Sequence, residues 1–87
     1  ADVYAIGAMA YEMLTATGPD RAAVAPSKLR PGVDRHVDRA VLRALAPQRD
    51  RRWPTATALA DALDEAASRT PRGRSLLIRA AGILINR

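Results

Sequence analysis

Asp34, Arg35 and His36 place a carboxylate, a guanidinium and the chain's one imidazole at consecutive positions. An acid and an imidazole side by side suggest proton transfer, which requires a third group to be attacked or oriented. The sequence supplies none: it has no Cys, and a lone His cannot complete a metal coordination set. Asp34 stands at the start of an apolar-periodic stretch, so it reads as a helix cap with polar neighbours. No catalytic residue and no metal site are assigned. A second pattern, Arg35, Arg39 and Arg43, recurs at every fourth residue and could follow a row of phosphates. Asp34 and Asp38 interrupt that stripe, and only 3% of the residues are aromatic, which leaves little for base stacking. It reads as a solvated helix face, and nucleic acid is not expected as a partner. Arg52 beside Trp53 could stack a planar ligand, but a bulky indole in a short chain reads first as a core anchor. Met9 and Met13, four apart, read as packing.

The elements that carry these residues are helical throughout. Asp2 to Thr15 is apolar nearly all the way round, with Glu12 the only charge in its interior, so a helix there should be buried on most sides. Gly18-Pro19-Asp20, Pro26-Ser27 and Pro31-Gly32 mark residues 16–32 as a connector with nothing longer than a turn. Asp34 then caps a helix reaching Leu45, with Val37, Val41, Leu42 and Leu45 on its apolar side. A charged turn from Pro47 to Pro54 leads to Thr55, the cap of a last helix reaching Ala67 and packed by Leu59, Leu63 and Ala66. Alternation of period two is nowhere sustained. The expected fold is an all-α small helical bundle over residues 1–67, followed by a basic linker at 68–74 and an apolar, basic tail at 75–87.

With 87 residues the chain is one small unit, and a unit of this size buries only about 60–65% of its extended surface. The absence of Cys excludes disulfides and fits a cytoplasmic setting. The net charge of +5 is not spread evenly: nine basic and nine acidic residues balance up to Glu65, and Arg69, Arg72, Arg74, Arg79 and Arg87 follow with no acid among them. An electrostatic partner is therefore expected at the tail. Starting at Ala1 and running directly into a helix that needs neighbours, the sequence reads as a segment of something longer.

Two sets of residues carry a resemblance. Asp2-Val3-Tyr4-Ala5-Ile6-Gly7 with Tyr11-Glu12-Met13-Leu14-Thr15 resembles the start of the central helix in the C-terminal lobe of protein kinases. Pro26 to Val33, Val41 to Leu45, Arg52-Trp53-Pro54-Thr55-Ala56 and Leu59 to Leu63 resemble the last two helices of bacterial serine/threonine kinases. The resemblance implies structural roles for Asp2, Gly7, Arg52 and Trp53. Asp2 would brace a catalytic loop by accepting from its amides, and Arg52 would pair with a glutamate that this chain does not contain. Without that partner, Arg52 is expected to reach solvent, another acid or a second subunit, because a buried unpaired guanidinium is costly. The resemblance also implies a parent that transfers the γ-phosphate of ATP, with Mg, to Ser or Thr hydroxyls. None of the groups that chemistry needs lies in this stretch, so no cofactor is expected in this chain. Asp34-Arg35-His36 has the residue types of the family's catalytic His-Arg-Asp in reversed order, at a helix start. The residues between Thr17 and Ala25 are fewer than the family's usual connection, Ala58 stands where a capping Glu is common, and Arg49 replaces a frequent Pro.

The resemblance implies as partners the rest of a kinase domain or a second chain. A non-catalytic helical interaction module, or a pseudokinase remnant, is the alternative. In the tail, Leu76, Leu77 and Ile78 follow Arg69, Arg72 and Arg74, with Arg79 inside the apolar run, which is shorter than the roughly 20 residues a membrane span needs. The tail would either pack on the body or a second chain, or lie on an anionic membrane surface with its arginines at the lipid headgroups.

Overall fold

Side-chain oxygens start each of the three main helices. The carboxylate of Asp2 accepts from the amides of Tyr4 at 2.9 Å and Ala5 at 3.3 Å, opening α1, Val3–Thr15. A single turn, α2, spans Pro26–Leu29 and begins with a proline, whose missing N–H costs nothing at that position. Asp34 accepts from His36 N at 2.7 Å to open α3, Arg35–Ala44. After a 3₁₀ turn at Arg49–Arg51, Thr55 Oγ1 accepts from Ala58 N at 3.0 Å and opens α4, Ala56–Ala67. The computed structural model describes residues 2–18 and 24–69, and among them there is no strand. The described residues form a small all-helical globule. No helix among the described residues is long and apolar enough to cross a membrane.

Helix α3 lies at the centre, packed on α1 along one side and on α4 along the other. The core it forms is built from Ala10, Tyr11 and Leu14 of α1, Val37, Ala40, Val41 and Ala44 of α3, and Leu59, Leu63 and Ala66 of α4, closed by Leu45. Most of that set follows from apolar spacing. Ala10, Ala40 and Ala44 do not, and they matter because small side chains let helix backbones approach. Closest of all is Gly7: a Cβ built there would stand 2.6 Å from the Cβ of Ala44. That methyl is attached directly to the α3 backbone and cannot swing aside. Leu42, expected on the apolar side, is only half-buried.

Helix α1 is only partly wrapped, as so short a chain implies for a nearly all-apolar helix: Gly7, Ala10, Tyr11 and Leu14 are buried, Val3, Tyr4, Ile6, Met9 and Met13 are half-buried, and Ala5 and Glu12 are exposed. One feature departs from the sequence expectation. Asp38, taken for part of a solvated face, is only 7% exposed. Its two carboxylate oxygens accept from Ser27 N at 2.8 Å and Ser27 Oγ at 2.5 Å, so it tethers α2 to α3. Burial of this charge is tolerated because both oxygens are hydrogen-bonded. Tyr11 ties the connector from the other side: its ring is fully buried and its hydroxyl donates to Val24 O at 3.0 Å.

At its C-terminal end α1 closes on Ala16, which adopts the left-handed conformation with φ 59° while its amide donates to Glu12 O at 2.7 Å. A Cβ is strained there, and glycine is not. Ala16→Gly should therefore raise stability by about 0.5–1 kcal/mol in urea unfolding. Gly7→Ala should do the reverse. Overpacking costs about 1–3 kcal/mol and the gain in helix propensity returns only about 1 kcal/mol, so net destabilisation is expected despite a better helix former.

Candidate functional site

The beginning of α1, the end of α3 and the turn before α4 meet around an open groove of about 970 Å³. Asp2 and Val3 form one side, Arg43 another, and Arg49, Asp50, Arg52, Trp53 and Pro54 the third. Asp2, Arg52 and Trp53, which the sequence singled out, are thus brought together. Gly7 is not part of the groove; it sits in the α1–α3 contact that fixes how far apart two of the walls stand.

Arg52 is held without an acid. Its Nε donates to Ala46 O at 2.7 Å, one terminal nitrogen reaches Pro47 O at 3.5 Å, and its guanidinium carbon lies 4.8 Å from the centre of the Tyr4 ring. Carbonyl oxygens and an aromatic face together stabilise a half-buried cation: Arg52 is re-paired within the chain, on carbonyls and with no carboxylate. Trp53 is half-buried and packs against the core cluster from its edge. Its Nε1 donates to Ala40 O at 2.9 Å, while Arg43 lies over its ring at 4.0 Å and donates from Nε to Arg51 O at 3.4 Å. Arg43 is itself exposed, as expected of a solvated helix face, and it adds the contact with Trp53. Arg49 is exposed. Asp2 is also exposed, and one of its oxygens caps its own helix.

Among the described residues the one short contact between an acid and a basic side chain joins Asp34 Oδ1 and His36 Nδ1 at 2.8 Å, and no Lys or Arg is ion-paired. Arg43, Arg49 and Arg52 therefore have no ion-paired carboxylate there, although Asp2 and Asp50 line the same groove. Trp53 was visible in the sequence as a ring that must pack. That Arg43 would stack on it depends on the return of the chain after α3, for which residue spacing gives no signal.

On the far side of Trp53 a smaller cleft of about 200 Å³ is lined by residues including His36, Arg39, Glu65 and Arg69. Arg69 is exposed, and its amide closes the end of α4 by donating to Ala66 O at 3.3 Å. The other tail residues named from the sequence, Arg72, Arg74, Leu76, Leu77, Arg79 and Arg87, lie outside the described residues. The Asp34-Arg35-His36 stretch is an exposed cap with that short acid–imidazole contact in it. Among the described residues no three His, Cys, Asp or Glu side chains gather to hold a metal ion. Comparison with protein-family models, curated proteins and solved structures finds no match to this chain.

The cap gives a pH dependence with a definite sign. The amide of His36, then its ring, and more weakly the charges of His36 and Arg69, hold the Asp34 carboxyl below its ordinary 3.8. A carboxyl depressed in the folded state stabilises above its unfolded pKa and loses that contribution as pH falls through the folded value. In Asp34→Asn, acid unfolding below about pH 4 should be shallower than in the parent chain, and the midpoint of the Asp34 carbon resonance in the parent should fall below 3.8. For Arg52, replacement by Lys removes the fork that reaches two carbonyls while keeping the charge. It should cost about 1–2 kcal/mol in urea unfolding followed by Trp53 fluorescence.

Proposed function

We propose that this chain is the C-terminal-lobe portion of a serine/threonine protein kinase, whose parent transfers the γ-phosphate of ATP to Ser or Thr hydroxyls, and that the segment itself performs no chemistry. The observation that carries this reading is the meeting of Asp2 and Arg52 on one groove, fifty positions apart in the chain. The kinase resemblance gives those two residues bracing roles toward other parts of a lobe. A groove that opens outward between them is where such parts would sit. Arg52 is held here by carbonyls and Tyr4, which keeps the segment folded while that groove is free. In this reading the contribution of the segment is structural: α1 presents Asp2, the turn before α4 presents Arg52, and α3 sets their separation.

The alternative of a non-catalytic helical interaction module is favoured by a different observation, the guanidiniums of the same groove that no carboxylate pairs. The two readings part on the coding sequence upstream of Ala1. A kinase parent requires, in frame, a glycine-rich loop, a lysine for the phosphates and a catalytic Asp. An interaction module requires none of them.

Phosphoryl transfer needs magnesium ligands and a catalytic base that this stretch does not supply. Isothermal calorimetry of the chain with Mg-ATP should accordingly show no stoichiometric, magnesium-dependent binding, and no phosphate should pass to a generic protein substrate. Magnesium-dependent one-to-one binding would overturn the assignment of the segment as non-catalytic.

A further inference from the structure

The groove holds more positive charge than its structure uses. Arg52 is committed to two carbonyls, but Arg43 and Arg49 point no donors at any carboxylate among the described residues. Arg43 is also oriented in advance. Its guanidinium carbon rests 4.0 Å from the centre of the Trp53 ring and its Nε donates to Arg51 O, which leaves its terminal N–H groups to grip a carboxylate. A side chain fixed in this way loses little entropy when a ligand arrives. Val3, Trp53 and Pro54 supply apolar surface beside the charges.

We propose that this groove binds an extended peptide segment bearing an acidic side chain, whose carboxylate lies between Arg43 and Arg49 over the edge of Trp53. The charge pattern selects that occupant. Asp2 and Asp50 line the groove together with its three arginines, so the positive excess is a single charge. A polyphosphate or nucleic acid would meet the two carboxylates with more negative charge. A peptide can set its acid against the arginines and its amide or lysine donors against Asp2 and Asp50. The stretch after Glu65 contains no Asp or Glu, so its side chains do not supply the acid. The proposal stands on the groove and is independent of a kinase origin.

Trp53 is the only tryptophan of the chain and lines the site, so its fluorescence reports occupancy directly. The titrants are acetyl-Gly-Ala-Glu-Ala-Lys-Gly-amide, the same peptide with Gln in place of Glu, inorganic phosphate and a short single-stranded DNA. Saturable change with the Glu peptide, at least tenfold weaker with the Gln peptide and weaker again in high salt, is expected. Arg49→Gln should weaken the Glu peptide several-fold without altering the unfolding midpoint, because Arg49 is exposed and its side chain makes no contact that holds the fold. Equal response to the Glu and Gln peptides, or an unchanged affinity in Arg49→Gln, would overturn the proposal. So would preferential binding of phosphate or DNA. Sedimentation equilibrium covers the remaining occupant: dimerisation lost in Arg49→Gln would put the exposed acids of a second copy, such as Asp61 or Asp64, in the groove instead of a peptide.

Discussion

The close passage of α1 over α3 at Gly7 and Ala44 is the constraint from which the remaining geometry follows. Two helices can approach this nearly only where neither carries a side chain beyond a methyl at the crossing. Once they do, Tyr11 fills the space beside the crossing and is wholly buried, and its hydroxyl is delivered to Val24 O. Toward the other end of the crossing, the start of α1 comes to rest near the chain that leaves α3. Tyr4 then lies beneath Arg52, and Asp2 stands across the groove from Arg43. A wider separation would break that pairing of Tyr4 with Arg52 and leave a half-buried guanidinium held only by carbonyls.

A chain with two tyrosines, one tryptophan and no phenylalanine has little aromatic surface to spend, and each ring serves two neighbours. Tyr11 packs the core and anchors the connector. Tyr4 packs against the core cluster and carries Arg52. Trp53 packs against the same cluster, donates to Ala40 O and carries Arg43. Cations stacked on rings replace the ion pairs that a larger protein would use at such junctions. Desolvating a guanidinium against a ring costs less than burying it beside a carboxylate that must be desolvated too. Residues Asp2 and Asp34 meanwhile serve helix ends, where the unpaired amides of the first turn give a carboxylate well-aligned donors.

What the sequence made legible was local. The caps at Asp34 and Thr55, the reach of the three main helices and the leucine and valine side of α3 follow from residues within a few positions of each other. Asp38 was not legible, since a carboxylate on a helix in an arginine-rich stretch looks solvated until Ser27 is known to lie against it. The roles of Arg43 and Arg52 were hidden for the same reason: their partners are the ring of Trp53 on the returning chain, the carbonyls of a turn and the ring of Tyr4 on another helix. Asp2, Arg52 and Trp53 line one groove, while Gly7 lies in the α1–α3 contact, and residue spacing alone shows neither. Arg49 stands out in the sequence only as a departure from the likeness to a kinase lobe, with no role attached to it.

The arginine at position 49 shapes what the turn before α4 can do. Proline at that position would fix the backbone and present no donor. Arginine leaves the turn to be held by the hydrogen bonds it makes, from Arg51 N to Gln48 O at 3.0 Å and Arg52 N to Arg49 O at 3.2 Å, and adds a charge at the rim of the groove. The same turn is pinned twice more from side chains, by Arg43 Nε at Arg51 O and by Arg52 Nε at Ala46 O. Those bonds hold the turn, so the exposed guanidinium of Arg49 rests on a backbone that does not need it. A charge that contributes nothing to its own support, beside an arginine already oriented on a ring, is placed to act on something outside the fold.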